Sequence, residues 1–282
     1  MKKIVGIIVV FALLASCNGK KTYVDPFEAL TTIVDSTKVV VVDTLPALPE
    51  KPVAVKEDEI FEDFILSFAT NVKMQRERID FPLSYYNDET PQKIPEEDWT
   101  FDSFFINQGY FTLLFDKEEE MELVQDTSLT SVQFEWIEME TNYLSKYYFE
   151  RKNGAWILEA INRHPIETNE NEDFIEFFHH FSTDSIFQLQ RIASSLTFVT
   201  NDPDDEFSIM EAVLEKEQWP AFRPVLPTNR LTNINYGQHN SVDSPTKILC
   251  IKRLDNGVFN TLYFRRRGNG NWTLYKFEDL AN

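Results

Sequence analysis

The sequence is poor in cysteine, glycine and histidine, and the shortages of cysteine and glycine each exclude a class of protein. Its 282 residues include 2 cysteines, 8 glycines and 4 histidines. Two cysteines cannot build the disulfide framework of a small secreted domain. The few glycines form neither a G-x-S-x-G elbow nor a glycine-rich phosphate loop, which excludes the common serine-hydrolase and nucleotide-binding motifs.

Basic residues are also scarce. There are 27 Lys and Arg against 46 Asp and Glu, which gives a formal net charge of −19. Because this excess of acid would repel a phosphate backbone over most of the surface, we expect no nucleic-acid partner. Such an excess is typical of solvated faces that keep a protein soluble.

The sequence begins with a short apolar run. Two lysines, at positions 2 and 3, precede the 13 residues IVGIIVVFALLAS, which end at Ser16. A basic start, an apolar stretch of this length and small residues at its end predict a secretory signal peptide over residues 1–16. The run is too short for a membrane span, which needs about 20 residues.

The segment Leu14-Ala15-Ser16-Cys17 resembles the bacterial lipobox. The resemblance implies that Cys17 is acylated after cleavage and holds the protein on a lipid bilayer, because two or more acyl chains give stable attachment. Lipoproteins displayed on the cell surface carry acidic residues just after the cysteine, and these are absent here. We therefore expect a Gram-negative envelope protein that faces the periplasm.

A proline-containing segment follows the predicted lipidation site. We predict that residues 17–56 form the lipidated cysteine and an extended stalk, because the prolines at 46, 49 and 52 favour extended chain. The four valines at 39–42 are an exception, since such a run could dock on an exposed sheet edge.

Four short segments recur in the same order along the chain. They pair residues 62–65 with 172–175, 78–79 with 191–192, 98–99 with 218–219, and 148–149 with 263–264. Recurrence at a nearly constant offset indicates an internal repeat. We predict two domains, 57–167 and 168–282, that meet in the polar stretch 167–171.

Each predicted repeat starts with a helix and continues with strands. Apolar residues at helical spacing open both repeats, and we also predict a helix over residues 208–219. Strands are predicted at 81–86, 110–115, 131–139, 144–152, 155–161, 196–200, 231–236, 247–254, 261–267 and 271–277, with hairpin turns at 153–154 and 268–270. The fold class is therefore α+β, with two tandem cone-like repeats in which N-terminal helices pack on a curved antiparallel sheet.

The closing hairpins carry a resemblance to a known superfamily. Each has a Tyr-Phe pair, an Asn/Gly turn and a tryptophan, at Trp156 and Trp272. This order resembles the nuclear transport factor 2-like cone, also called the ketosteroid isomerase-like fold. The tandem arrangement behind a lipobox also resembles an uncharacterised lipoprotein family of gut Bacteroidota. The resemblance implies a pocket between sheet and helices, which isomerases of this superfamily use with an Asp base and a Tyr.

Four residues are candidates for a site in such a pocket. Asp80 is the one candidate catalytic acid, although a turn or capping role explains it as well. Trp136 is an aromatic residue in only one repeat, since Ile251 is its counterpart, and this favours a ligand-binding role. His179, in a histidine pair of which one member faces the core or a pocket, and Cys250, on a strand, are the other ligand-binding candidates.

Metal and cofactor motifs are missing from the sequence. No H-E-x-x-H or D-x-D-x-D-G spacing occurs, so we expect neither a metal nor a cofactor. The favoured hypothesis is a non-catalytic, lipid-anchored envelope protein that binds a small molecule, a glycan or another envelope protein. Two alternatives stay open: an isomerase- or dehydratase-like enzyme with a pocket carboxylate in one repeat, and a structural scaffold with filled cones.

Overall fold

The computed structural model of the chain describes residues 52–238, 240–255, 258–268 and 270–281. The predicted signal peptide, Cys17, the valine run and nearly all of the predicted stalk lie outside these residues. The described helices are α1 Phe61–Thr70, α2 Val72–Glu77, α3 Glu172–Thr183, α4 Ser185–Gln190 and α5 Trp219–Phe222.

The strands form two six-stranded sheets, with orders β2-β1-β6-β5-β4-β9 and β3-β10-β11-β12-β7-β8. Their bounds are β1 Ile79–Asn87, β2 Thr90–Ile94, β3 Tyr110–Phe115, β4 Ser131–Glu138, β5 Tyr143–Lys152, β6 Ala155–Pro165, β7 Ile192–Asp202, β8 Asp205–Glu215, β9 Arg230–Asn235, β10 Thr246–Arg253, β11 Val258–Arg266 and β12 Trp272–Ala281. The pairs β1/β6 and β7/β12 are parallel, and the other pairs are antiparallel. The predicted α+β class, with antiparallel-rich sheets and few helices, is confirmed.

The two sheets exchange one strand each. Strand β3 pairs with β10 in the second sheet, and β9 pairs with β4 in the first. The two exchanged strands also contact each other, since the amide of Thr112 donates to the Oγ1 of Thr232 and the amide of Thr232 donates to the Oγ1 of Thr112. Each sheet therefore combines strands from both sides of the domain boundary that was predicted at residues 167–168. That boundary stays a prediction.

Phenylalanine side chains attach the long helices to the sheets. In α1, Phe61, Phe64 and Phe68 are buried and pack on Phe149, with ring centroids 5.3, 5.6 and 5.4 Å away. Their spacing of three and four residues places them on one helix face. Burying such aromatic faces drives the helix onto the sheet.

The second long helix packs on its sheet in the same way, but its residues align with those of α1 at a different offset from the one predicted from the sequence. Phe174 of α3 lies 5.3 Å from Trp272 at an interplanar angle of 81°, as Phe61 lies 5.1 Å from Trp156 at 83°. Phe61 therefore corresponds to Phe174, an offset of 113. The sequence pairing of residues 62–65 with 172–175 has an offset of 110, which differs from this packing offset by about one helical turn.

One predicted helix is a strand, and one strand was missed. Residues 205–215 form β8, an edge strand that pairs with β7, although residues 208–219 had the composition of a helix. Leu214 is buried and Val213 exposed, which is the period of a strand. Tertiary pairing overrides helix propensity here. Strand β2, TPQKI, was missed because an exposed edge strand with a proline carries no apolar alternation.

The other predicted strands are found, several of them longer than predicted. The Asn153-Gly154 turn is confirmed, since both residues have positive φ, 53° and 85°, which suits Asn and Gly in a two-residue hairpin. Residue 269 of the second predicted turn lies outside the described residues.

A buried glutamine fixes the loop before each exchanged strand. Gln75 Oε1 accepts from Trp99 Nε1 at 3.1 Å and from the Asp102 amide at 2.9 Å. In the second half of the chain, which contains α3 to α5, Gln188 Oε1 accepts from Trp219 Nε1 at 2.8 Å. Since buried hydrogen bonds of this kind are costly to break, each glutamine holds its loop against the core. In the first half, this positions the loop that forms the cleft described next.

Candidate functional site

A cleft of about 400 Å³ lies beside the half-buried indole of Trp136 on β4, and we call it the Trp136 cleft. A 3-10 turn, Phe104–Gln108, forms one wall. The cleft is lined by Asp102, Ser103, Phe104, Asn107, Gln108, Trp136 and Arg230. An aromatic wall with convergent amide, hydroxyl and charged groups is the composition of a site for a small polar ligand.

A second cleft, of about 460 Å³, adjoins the first, and we call it the Glu138 cleft. It lies between the β4–β5 turn and the loop before β9. These two segments are joined by a hydrogen bond that the Met139 amide donates to the Asn229 carbonyl at 2.9 Å. Its lining consists of Gln108, Tyr110, Glu138, Glu140, Thr141, Val225, Leu226, Thr228, Asn229 and Arg230. Gln108 and Arg230 line both clefts.

Arg230, the first residue of β9, stands at the junction of the two clefts. Its guanidinium carbon lies 5.5 Å from the centroid of the Trp136 ring, which is the range of a cation–π contact. Its Nη2 lies 3.6 Å from Glu138 Oε1, and 55% of its side chain is exposed. A pair at this distance is weak, so Arg230 keeps donors that face solvent and the clefts.

Asp102 is held firmly in the Trp136 cleft. Its Oδ1 accepts from the Phe104 amide at 2.8 Å, and its Oδ2 accepts from the Tyr147 hydroxyl at 3.3 Å. Burial, with the nearby Asp102 carboxyl as a further cause, holds the pKa of Tyr147 well above its usual value. The tyrosine is therefore a neutral hydrogen-bond donor at physiological pH.

Phe104 has a strained backbone in this wall. Its φ is 47°, a conformation that bulky side chains rarely adopt. The ring is buried and packs on Phe68, Phe134 and Tyr147, with centroids 5.6, 5.1 and 5.0 Å away. Strain of this kind collects at functional sites, and here it turns the chain from Asp102 into the cleft wall.

These residues can recognise a ligand but do not form an evident reaction centre. Asp102 and Glu138 are acceptors, Arg230 is a donor, and Asn107 and Gln108 can act as both. Carboxylates accept strong hydrogen bonds from hydroxyl groups, and the half-buried indole of Trp136 adds an apolar wall. The clefts are thus suited to a ligand with many hydroxyl groups.

The clefts include one of the four predicted site residues. Trp136 lines a cleft, as a ligand-binding role requires. Asp80 lies elsewhere, with 62% of its side chain exposed and its carboxylate 3.8 Å from Lys152 Nζ. His179 is half-buried on α3, outside both clefts.

Cys250 is buried among apolar residues and lines neither cleft. Burial raises the pKa of its thiol to about 12. A thiol that stays protonated to this pH is a poor nucleophile and a poor metal ligand.

Asp102, Arg230 and Gln108 were not predicted as site residues. Each lies in a loop, in a short 3-10 turn or at a strand end, where no periodicity marks orientation, and residues 102 and 230 are far apart in the sequence. The strand exchange brings them together, and the sequence carried no signal of it.

In the part of the chain described, no group of three or more His, Cys, Asp or Glu side chains is arranged to hold a metal ion. Over the same residues, no helix combines the length and the apolar character that crossing a bilayer requires.

The chain is similar to a protein family and to a protein of known structure. Residues 42–279 match the model of a protein family described as a domain of unknown function, DUF4348. The chain is also similar to an NTF2-like protein from Bacteroides fragilis NCTC 9343 whose crystal structure is known. The two are 57% identical with a TM-score of 0.76, and the match covers 81% of this chain and 99% of that one. No curated protein matches the chain. The similarity confirms the NTF2-like fold and the Bacteroidota-type family.

Proposed function

We propose, from the premise that the chain belongs to the DUF4348 family and has an NTF2-like fold, that it binds a glycan without transforming it. The observation that carries this proposal is the Trp136 cleft. It combines a half-buried indole with the Asp102 carboxylate and the Asn107 and Gln108 amides. A sugar ring has an apolar face and a rim of hydroxyl groups, which match an aromatic ring with acceptors at its edge.

A glycan array tests this function with the full chain purified in detergent. We expect binding to a defined set of glycans by the wild type and its loss in Trp136→Ala. The matched control is Phe222→Ala, which removes another exposed aromatic ring, 42% accessible, that lines neither cleft. The proposal fails if no glycan is bound, or if Trp136→Ala binds as well as the wild type.

The location in the cell is a separate part of the proposal. The lipobox resemblance at 14–17 supports acylation of Cys17 and attachment to the envelope of a Gram-negative cell, facing the periplasm. Cys17→Ser should remain uncleaved and take up no radioactive palmitate. Unchanged labelling of that variant would refute acylation at this residue, whatever the outcome for glycans.

A structural role is the second candidate, and the filled cores favour it. Rings of Phe61, Phe64 and Phe68 occupy the space against Phe149, so the interior where an isomerase-type pocket would lie is packed. A catalytic alternative would use a carboxylate of the surface clefts, and Asp102 is the one beside Trp136. Turnover of a bound glycan by the wild type and its loss in Asp102→Asn would favour catalysis over binding alone.

A further inference from the structure

We propose that the Trp136 cleft and the Glu138 cleft are two subsites of one groove, which takes a neutral oligosaccharide with Arg230 at the junction. This inference rests on the proposed function and specifies its ligand. The two clefts, about 400 and 460 Å³ in volume, share Gln108 and Arg230 as wall residues. Each volume is in the range of sites that hold an entire small molecule, so a single sugar unit leaves most of the groove empty.

The second subsite has its own set of hydrogen-bonding groups. Glu138 Oε2 accepts from Thr141 Oγ1 at 2.9 Å, which holds the carboxylate toward the β4–β5 turn. Glu140 is exposed beside it, and Thr228 and Asn229 stand in the facing loop. The aromatic residue of this lining is Tyr110, whose phenol ring is smaller than the indole of Trp136. We therefore expect the Glu138 cleft to contribute affinity mainly to ligands that also occupy the Trp136 cleft.

Charge selects against acidic sugars. The two linings together contain three carboxylates, of Asp102, Glu138 and Glu140, and one guanidinium, of Arg230. A second guanidinium, of Arg163, lies 4.0 Å from Glu138 Oε2, so acidic groups exceed basic ones by one. The Arg230 guanidinium already contacts the Trp136 ring and faces Glu138. In a chain with a net charge of −19, an anionic ligand is repelled from the groove as a whole.

Arg230 is the positioning residue of the groove. Because its planar side chain lies between the indole and Glu138, it presents donors toward both clefts at the point where a chain would cross. Lysine keeps the charge but lacks the planar donor fork. We therefore expect Arg230→Lys to weaken binding of long oligosaccharides and to leave binding of single sugars nearly unchanged.

Calorimetry on the full chain in detergent tests the two subsites. The probes are malto-oligosaccharides and N-acetylglucosamine oligosaccharides of one unit to about six units, and oligogalacturonates as the acidic comparison. In at least one neutral series, affinity should rise about tenfold or more between one and four units and then level off, because the second contact becomes intramolecular. The acidic series should bind more weakly at every length.

Two variants separate the subsites. Trp136→Ala should weaken binding at every length, whereas Glu140→Gln should weaken only the longer chains and reduce the length dependence. Glu176→Gln, an exposed acid on α3 outside both clefts, is the control and should change nothing.

The outcomes distinguish the two claims. Binding that depends on Trp136 but does not increase with chain length overturns the two-subsite groove. Equal binding of neutral and acidic sugars overturns the preference for a neutral ligand. Either result leaves glycan binding standing. Binding by none of the probes overturns this inference, and the glycan array then decides whether any glycan is bound. If the wild type bound the acidic series more tightly than the neutral series of the same length, the charge argument would be contradicted.

Discussion

Trp136 and Ile251 occupy matching positions in the two sheets but differ in how far they are buried. Trp136 on β4 is opposite Thr232 on β9, and Ile251 on β10 is opposite Thr112 on β3. Ile251 is only 2% exposed and belongs to the core of the second half. Trp136 is partly exposed and lines a cleft. One backbone arrangement thus supports a packing residue in one half and a candidate ligand platform in the other.

A second matched position shows the same divergence. Glu135 is buried on β4, accepts from Asn233 Nδ2 at 2.8 Å and lies 3.6 Å from Lys146 Nζ. The corresponding residues of the second half are Cys250 and Thr261, which are opposite each other on β10 and β11. Because side chains alternate along a strand, Glu135 lies on the face of β4 opposite to Trp136, and this buried polar pair belongs to the framework of the first half. The two halves share the backbone arrangement and the packing residues. The candidate functional residue, Trp136, stands at a position where the two halves differ.

The anchoring of the two closing tryptophans gives the largest expected contrast between the halves. Asp58 is 1% exposed, and its Oδ2 accepts from the buried Arg78 at 2.9 Å while its Oδ1 accepts from the Trp156 amide at 3.0 Å. Asp58→Ala leaves Arg78 without this buried partner, so we expect the free energy of unfolding to fall by about 3–5 kcal/mol. Urea denaturation measures this loss.

The comparison variant in the second half is Asp173→Ala, which removes the carboxylate that accepts from the indole nitrogen of Trp272. The Asp173 side chain is 42% exposed and contacts Arg266 and the Trp272 indole nitrogen. Solvent screens such a pair, so the expected loss is about 1 kcal/mol or less. Equal losses in the two variants would show that burial does not set the contrast.

Alanine at the two matched sheet positions should separate stability from binding. Ile251→Ala opens a cavity in a packed core and should lower the free energy of unfolding by about 2–5 kcal/mol. Trp136→Ala should cost less than this, because the indole is already partly exposed, yet it alone should abolish glycan binding. A Trp136→Ala variant that unfolds as easily as Ile251→Ala would identify Trp136 as a core residue.

The smallest effect is expected at Cys250. In a Cys17→Ser background, its thiol should not react with a disulfide reagent at about pH 8 in the folded state and should react once in urea, because burial raises its pKa from 9.0 to about 12. The neutral thiol stabilises the fold below about pH 9, and this contribution is lost as the pH rises toward 12. Cys250→Ala should therefore show a shallower loss of stability over that range. Rapid reaction of the folded protein would contradict the burial.

The framework was largely predictable from the sequence. Strands that are buried on one face and hairpins with Asn-Gly turns carry local signals, so β3 to β6 and their turn at 153–154 were predicted close to their observed bounds. Strands β2 and β8, each at one edge of its sheet, were not predicted, because they bury few side chains.

The candidate site was predictable only in part. Trp136 could be found because one repeat has an aromatic residue where the other has an isoleucine. Asp102 and Arg230 could not, because they meet only through the exchange of β3 and β9, which leaves no trace in local sequence. The exposure of Asp80 likewise depends on which face of β1 the sheet buries.

The five tryptophans provide the most direct test of the Trp136 cleft as the ligand site. The indole nitrogens of Trp99, Trp156, Trp219 and Trp272 all donate hydrogen bonds inside the protein and serve as internal controls. In nitrogen-15 spectra of the full chain, titration with a glycan bound on the array should shift the indole signal of Trp136 and leave the other four in place. An unmoved Trp136 signal at saturating glycan would contradict the account.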